Sequence, residues 1–159
     1  ILTEIQKYDC NLIELTGGEP LVQPEAINLM KILCDNGYRV LLETGGSLPI
    51  KEVDSRVRII MDLKCPSSTK IKKNLYENID YLKSTDEVKF VIGTREDYDW
   101  TKETIQKYNL NDKCAVLFSV VFGKLEPVEL VNWIIEDKLN VRFQLQIHKF
   151  IWDPSMKGV

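Results

Sequence analysis

The sequence is poor in cysteine, and its few cysteines are far apart. They are Cys10, Cys34, Cys65 and Cys114, and no two of them form a CxxC or CxxxC pair. Such pairs supply the neighbouring thiolates of zinc sites and iron–sulfur clusters, so no metal or cluster motif can be recognised. A disulfide framework is not expected either, because no secretory signal is present. We therefore predict reduced cysteines that behave as small, largely buried hydrophobic residues.

Long apolar runs and a strong charge of one sign are also missing. No stretch is long enough to span a bilayer, and no signal-peptide pattern is present. The 159 residues carry a net charge of -3 and are 44% hydrophobic and 28% charged. This is the composition of an ordinary globular protein, and it argues against a nucleic-acid or membrane partner. We predict a cytoplasmic protein with a single domain over residues 1–159.

The sequence does contain a regular alternation of strand and helix patterns. Six short segments are rich in Val, Ile, Leu and Phe and nearly continuously apolar, which is typical of parallel strands covered on both faces. These segments are residues 12–16, 38–43, 57–63, 88–92, 115–121 and 141–147. Four sets of apolar residues have helical spacing and predict four helices. They are Ile27, Met30 and Leu33; Ile71, Leu75, Ile79 and Leu82; Trp100, Ile105 and Tyr108; and Val128, Val131, Ile134 and Ile135. Gly37 is the predicted end of the first helix, and the residues of the fourth set are predicted to face the core.

This alternation predicts an α/β fold with parallel strands and outer helices. Residues 1–8 match the last turns of a helix, and an incomplete parallel barrel is the favoured architecture. A Rossmann-like open sheet also fits the periodicity, although the G-x-G-x-x-G signature is missing after the first strand. In both architectures, ligands bind at the carboxyl ends of the strands.

Polar residues and glycines are concentrated at those strand ends. The first exit reads Thr16-Gly17-Gly18-Glu19-Pro20, the second reads Glu43-Thr44-Gly45-Gly46-Ser47, and the third begins Asp62-Leu63-Lys64. Any one of these could be only a turn or a helix cap. Together they indicate a site for a polar, zwitterionic or nucleotide-like ligand, because bared backbone, carboxylates and lysine can all bind such a molecule.

At this point the motifs resemble a known family. The segment "TGGEPL" resembles the Gly-Gly-Glu-Pro motif of radical S-adenosylmethionine enzymes. The segments "LETGGSLP", "MDLKCPSS", "VKFVI", "FSVVFGKLEP" and "QLQIHKFIWDPSMKGV" resemble the 7-carboxy-7-deazaguanine synthase family within that superfamily. The resemblance implies an incomplete (β/α) barrel of the radical S-adenosylmethionine type, with the first strand and the cluster loop absent.

The family's reaction, so implied, is a ring contraction in queuosine and deazapurine biosynthesis. It converts 6-carboxy-5,6,7,8-tetrahydropterin to 7-carboxy-7-deazaguanine with loss of ammonia. The implied cofactors are S-adenosylmethionine, a 4Fe-4S cluster and Mg²⁺. The implied partners are the pterin substrate, an electron donor such as flavodoxin or ferredoxin, and a second copy of the chain in a homodimer.

The resemblance also implies roles for residues at the strand exits. Predicted contacts with S-adenosylmethionine are Gly17, Gly18, Glu19, Glu43, Thr44, Lys64, Ser67 and Ser119. Predicted contacts with the pterin substrate are Thr16, His148 and the C-terminal carboxylate of Val159. Some family members carry Ser-Pro-Lys where this chain has Asp62-Leu63-Lys64.

One departure from the family affects activity. The family's CxxxCxxC cluster loop, its Gln-Gly-Glu-Gly substrate segment and its magnesium-binding threonine all precede the Gly-Gly-Glu-Pro motif. None of them occurs in this sequence, which begins at Ile1 instead of methionine. We therefore expect an N-terminal part to be absent, and we expect the 159-residue chain alone to bind no cluster and to be inactive.

Two other functions remain as alternatives. A glycyl-radical-enzyme activase resembles the chain at the Gly-Gly-Glu-Pro, "ETGG" and "MDLK" segments, but it would act on a protein glycine. A non-catalytic module that has lost its cluster loop could retain a nucleotide pocket. The "CPSS" segment and the C-terminal segment favour the synthase over the activase, whereas the sequence upstream of Ile1 would distinguish the enzyme from the non-catalytic module.

Overall fold

The computed structural model describes residues 1–156, which form a six-stranded parallel sheet with helices between the strands. The strands are β1 (Leu12–Leu15), β2 (Arg39–Thr44), β3 (Arg58–Asp62), β4 (Glu87–Ile92), β5 (Ala115–Val120) and β6 (Arg142–Phe143). The α-helices are α1 (Leu2–Ile5), α2 (Ala26–Asp35), α3 (Arg95–Tyr108), α4 (Leu110–Lys113), α5 (Pro127–Glu136) and α6 (His148–Ile151). Short 3₁₀ helices cover Pro20–Val22, Ile71–Lys73 and Tyr76–Tyr81. Every predicted strand segment overlaps one observed strand; β2 extends one residue past its predicted segment, to Thr44, and β4 begins one residue before its segment, at Glu87.

The order of the strands in the sheet is the order in the sequence, β1-β2-β3-β4-β5-β6, and every neighbouring pair is parallel. A doubly wound sheet reverses its strand order at a switch point, so this topology excludes the Rossmann-like alternative. The sequential order is that of a barrel wall. Within the described residues β1 does not pair with β6, so the barrel is not closed. The prediction of an incomplete parallel barrel is confirmed.

The two faces of the sheet differ in chemistry. In β2, Val40 and Leu42 are buried against the helices, whereas Leu41 and Glu43 on the opposite face are partly exposed. Strands β3 and β4 repeat this alternation. Because successive side chains of a strand point to opposite faces, one face builds the hydrophobic core with the helices. The other face is left to present charged side chains.

The first long helix ends where the sequence predicts. Gly37 has a φ of 84°, a conformation that glycine adopts without steric cost. The Gly37 N–H donates to the Cys34 carbonyl and the Tyr38 N–H donates to the Leu33 carbonyl, which satisfies the last carbonyls of α2. The predicted stop at Gly37 is confirmed, and the chain turns directly into β2.

The predicted helix over residues 71–82 is wrong. The segment forms two short 3₁₀ helices separated by extended backbone at Asn74 and Leu75. The Asn74 side chain pairs with the backbone of Lys64, and the Asn78 side chain pairs with the loop that follows β2. Asparagine side chains that bond to distant backbone groups compete with regular helix formation, and here they hold the segment against the sheet.

The predicted inner face of α5 is only partly right. Leu130 is fully buried and Ile134 packs against the core. Val128 and Ile135 were predicted to face inward, but they are 66% and 65% exposed. The helix is therefore rotated so that Leu130, which the sequence stripe omitted, supplies its main core contact.

No helix among residues 1–156 is both long enough and apolar enough to cross a membrane.

Candidate functional site

The turn after β1 leaves its backbone open on the side of the strand ends. Gly17 and Gly18 have φ values of 87° and 55°, which side chains rarely adopt. A Cβ atom built at either glycine would meet nothing within 4 Å. Glycine is therefore required here by the backbone conformation and not by crowding. The peptide groups of this turn remain accessible to a ligand.

The Glu19 carboxylate joins this turn to the turn after β2. It accepts hydrogen bonds from the Thr44 hydroxyl at 2.8 Å, from the Gly45 N–H at 2.8 Å and from the Leu21 N–H at 3.2 Å. Thr44 is only 3% exposed, and its hydroxyl also accepts from the Gly46 N–H. The side chains of Glu19 and Thr44 thus bond to each other and fix the relative position of the first two strand exits.

Glu43 is the exposed carboxylate of the second exit. It accepts hydrogen bonds from the Lys89 ammonium and the Thr16 hydroxyl, both at 3.1 Å, and its side chain keeps 38% exposure. Glu14 lies nearby on β1, where partial burial raises its pKa and the charge of Glu43 raises it further. The face of the sheet under the turns therefore combines two carboxylates with one ammonium group.

A second ion pair lies at the third exit. The Lys64 ammonium is 2.7 Å from one Asp62 oxygen. The other Asp62 oxygen, Oδ1, is buried and has no hydrogen-bond partner within residues 1–156. A buried acceptor without a partner is costly, so this oxygen is available to a donor that a ligand would bring. The backbone of Lys64 is held on both sides by the Asn74 amide.

These groups line one cavity of about 840 Å³ at the carboxyl edge of the sheet. Its volume is in the range of sites that bind cofactors and small molecules. The lining includes seven of the predicted site residues, namely Thr16, Gly17, Gly18, Glu19, Glu43, Thr44 and Lys64. It also includes Asp62 and five lysines in all, which are Lys64, Lys70, Lys72, Lys73 and Lys89.

Three other predicted site residues, Ser67, Ser119 and His148, are not among the described residues that line this cavity. Ser67 follows β3 and bonds to Asp97, and Ser119 is buried in β5 with its hydroxyl donating to the Gln144 carbonyl. His148 is half-buried at the start of α6. The predicted contact of Val159 lies outside the described residues. The roles of all these residues stay predictions.

Sequence reasoning missed two residues of the site. Lys89 interrupts the apolar run of β4, and a charge at an alternate position of such a strand could have placed it on the polar face. Asp97 lies in the first turn of α3 after the Thr94 N-cap, where acidic residues are common because they interact favourably with the helix dipole. Its position in the sequence therefore does not indicate a role in the site. Its burial and its hydrogen bond to Ser67 depend on tertiary contacts, which cannot be predicted from the neighbouring sequence.

The cysteines do not gather into a metal site. Within residues 1–156, no group of three or more His, Cys, Asp or Glu side chains could hold a metal ion. Cys65 and Cys114 are buried as predicted, whereas Cys10 is exposed and Cys34 is intermediate, so the prediction of general burial is wrong for Cys10. Burial raises the pKa of Cys65 to about 12 and that of Cys114 to about 11.

Comparison with known proteins identifies close relatives. The whole chain aligns at 42% identity with 74% of the 7-carboxy-7-deazaguanine synthase of Chlorobaculum tepidum. It also aligns over its whole length, at 42% identity, with 77% of the 7-carboxy-7-deazaguanine synthase of Koribacter versatilis. At 34% identity the chain covers 74% of the Clostridium acetobutylicum enzyme of the same name. No family model matches the sequence.

Solved structures share the fold at low sequence identity. QueE from Escherichia coli superposes with a TM-score of 0.69 over 91% of this chain and 60% of that chain, at 17% identity. SuiB from Streptococcus suis, solved with bound S-adenosylmethionine, superposes with a TM-score of 0.61 over 85% of this chain and 38% of that chain, at 14% identity. These similarities establish the partial-barrel fold.

Proposed function

The chain belongs to the 7-carboxy-7-deazaguanine synthase family of enzymes, and from this premise we propose that its cavity binds S-adenosylmethionine and a carboxypterin. The reaction that we propose converts 6-carboxy-5,6,7,8-tetrahydropterin to 7-carboxy-7-deazaguanine with loss of ammonia. The observation that carries the proposal is the cavity of about 840 Å³, in which open glycine backbone lies beside charged groups from adjacent strand exits.

The residues of the first two exits suit the methionine part of S-adenosylmethionine. Its ammonium group needs acceptors, and the open backbone of Gly17 and Gly18 and the exposed Glu43 carboxylate can supply them. Its carboxylate needs a cation, which Lys64 can supply. Glu19 and Thr44 contribute by holding the two turns in register, since their side chains bond to each other.

The ribose and adenine would extend toward the later exits. In radical S-adenosylmethionine enzymes, the cofactor supplies hydrogen-atom abstraction from the substrate. The buried Asp62 oxygen offers an acceptor for a hydroxyl group of the ligand. Ser67 and Ser119 are proposed to line this part of the site, at the exits of β3 and β5.

The iron–sulfur cluster and Mg²⁺ do not fit the residues that the structure describes. Cys65 and Cys114 are buried with raised pKa values, and no ligand group of three is present in the described part of the chain. We therefore assign neither group to any residue here. The proposed electron donor, a flavodoxin or ferredoxin, would reduce the cluster.

The lysines of the cavity favour an anionic substrate. Five lysines and only three carboxylates, those of Glu19, Glu43 and Asp62, line it. The chain as a whole has a net charge of -3, so this positive balance is local. A pterin with a carboxylate would be attracted to such a site. Thr16, His148 and the Val159 carboxylate are the proposed substrate contacts.

The proposal predicts a product that can be measured directly. The full-length protein, treated anaerobically with iron and sulfide and supplied with reductant, S-adenosylmethionine and the carboxypterin, should form 7-carboxy-7-deazaguanine and ammonia. Mass spectrometry detects the first and an enzymatic assay detects the second. We expect Glu43→Gln to lower kcat/KM at least about tenfold, because a charge-assisted hydrogen bond to the ligand is lost.

Glu129→Gln is the matched control, since it removes the same charge from the exposed side of α5. It should leave the rate unchanged. Consumption of S-adenosylmethionine without any deazaguanine would contradict the proposed reaction and favour the glycyl-radical activase. Binding of S-adenosylmethionine without turnover in an iron-loaded full-length protein would favour the non-catalytic module.

A further inference from the structure

Asp97 is a fully buried carboxylate that bonds to two different strand exits. Its relative exposure is 0%, and it accepts from the Ser67 N–H at 2.8 Å, the Ser67 hydroxyl at 2.6 Å and the Gly93 N–H at 2.9 Å. No lysine or arginine among residues 1–156 forms an ion pair with it, and its side-chain partners are these three donors. These bonds give both carboxylate oxygens hydrogen-bond partners, as a buried polar group requires.

The surroundings of this carboxylate are tightly packed at Gly93. A Cβ atom built there would lie 3.1 Å from Val121 Cγ2, 3.4 Å from Ser67 Oγ and 3.5 Å from Asp97 Oδ2. Gly93 follows β4 and Ser67 follows β3, so Asp97 joins the third and fourth exits. Glu19 joins the first and second exits in the same manner.

The bond to Asp97 determines what Ser67 can offer a ligand. A serine hydroxyl has one proton to donate and two lone pairs that accept. The Ser67 hydroxyl donates this proton to Asp97 Oδ2 at 2.6 Å. The exposed side of the Ser67 oxygen therefore presents lone pairs. It can bind an O–H or N–H group and repels a carboxylate.

We infer that Asp97 is a positioning residue of the cofactor site, which orients Ser67 as a hydrogen-bond acceptor for a hydroxyl or ammonium group of S-adenosylmethionine. This inference rests on the proposed function, in which Ser67 contacts that cofactor. It adds a residue outside the cavity and specifies the chemistry of the contact: a donor of the cofactor, and not its carboxylate, meets Ser67.

Substitution of Asp97 by asparagine reverses this arrangement. The Ser67 hydroxyl and the Gly93 N–H both donate to Oδ2, whereas the Ser67 N–H donates to Oδ1. With the N–H₂ group at the Oδ2 position, Asn donates to the Ser67 hydroxyl, whose proton is then directed at the ligand, and the Gly93 N–H loses its partner. With the N–H₂ group at the Oδ1 position, the Ser67 N–H loses its partner and the turn that carries Ser67 is disturbed.

The test is the affinity of the full-length protein for S-adenosylmethionine, measured by isothermal titration calorimetry. We expect Ser67→Ala and Asp97→Asn each to weaken binding about tenfold, and the double variant to bind no more weakly than the weaker single variant, because both act through one hydroxyl. Ser67→Thr keeps the hydroxyl and should retain affinity within about twofold.

Thr94→Ala is the matched control. Thr94 caps α3 by accepting the Asp97 N–H, and its loss should lower the melting temperature by a few degrees without changing the affinity. A purely structural Asp97 would behave like Thr94: Asp97→Asn would lower only the melting temperature, and the inference would be overturned. Additive losses in the double variant would overturn it as well.

The variants also separate this inference from the proposed function. If Asp97→Asn fails to fold, the affinity of the Ser67→Ala variant tests the inference, because this change leaves the buried carboxylate and both of its backbone hydrogen bonds in place. An affinity of Ser67→Ala equal to that of the wild type would overturn the inference. A wild-type protein that does not bind S-adenosylmethionine overturns the proposed function, and the cofactor role of Asp97 with it.

Discussion

At the scale of single residues, the carboxylates of the strand exits fall into two groups. Glu19 and Asp97 accept hydrogen bonds from backbone and hydroxyl donors inside the protein, and these bonds hold the turns at the strand exits. Glu43 and Asp62 form ion pairs at the cavity, and their carboxylate oxygens can also accept hydrogen bonds from a ligand. The family resemblance implies that Glu19 contacts the cofactor, and this role stays a prediction; in the structure its side chain accepts hydrogen bonds from Thr44 and Gly45.

The cysteines give a residue-scale prediction about thiol reactivity. In the folded protein at pH 8, Cys10 should react with a thiol reagent first and Cys65 and Cys114 last. Burial raises the pKa of Cys65 to about 12 and that of Cys114 to about 11, so below those values almost none of their thiol is the reactive thiolate. Peptide mapping after timed alkylation measures each rate.

The control for thiol reactivity is the same reaction in denaturant, where all four cysteines should react at similar rates. Cys10→Ser should abolish the fast phase in the folded protein, because Cys10 is the exposed cysteine. Alkylation of Cys65 as fast as that of Cys10 in the folded state would contradict the structure of the third exit.

At the scale of elements, the segment between β3 and β4 depends on asparagine side chains. Asn78 is 1% exposed; its amide accepts from the Ile50 N–H and donates to the Leu48 and Gly46 carbonyls. It thereby ties the 3₁₀ helix Tyr76–Tyr81 to the loop after β2. The sequence pattern of this segment predicted an α-helix because apolar spacing does not record such bonds.

Asn78→Ala is therefore predicted to destabilise the protein. The change leaves a buried N–H and two carbonyls without their partner, which should cost about 2–3 kcal/mol in the free energy of unfolding. Urea denaturation followed by circular dichroism measures this cost. Asn28→Ala removes an exposed hydrogen bond on α2 and is the control, with an expected change below about 0.5 kcal/mol. Equal stabilities of the two variants would refute the structural role of Asn78.

At the scale of the whole molecule, the sheet is a barrel wall with two free edges. Strands β1 and β6 each pair on one side only within residues 1–156. Parallel strands with one polar face need cover from further protein, and unpaired edges are common sites of association. The predicted homodimer is consistent with this architecture and stays a prediction.

The homodimer can be tested by measuring mass in solution. We expect multi-angle light scattering of the full-length protein to give twice the mass of one chain over a dilution series, because symmetric dimers are the commonest way in which identical chains associate. A single-chain mass at every concentration, including the highest, would show that the protein does not form the predicted dimer.

The sequence by itself determined the fold class and much of the site, because both depend on local patterns. Continuous apolar segments predicted all six strands, and the motifs at their ends predicted seven residues that line one cavity. Only the tertiary structure decided what depends on contacts between distant residues. These were the strand order that excludes an open doubly wound sheet, the burial of Leu130, the engagement of Glu19 with Thr44, and the contact of Asp97 with Ser67. Hydrogen bonds between residues some thirty positions apart leave no trace in local spacing, and they set which polar atoms are left for a ligand.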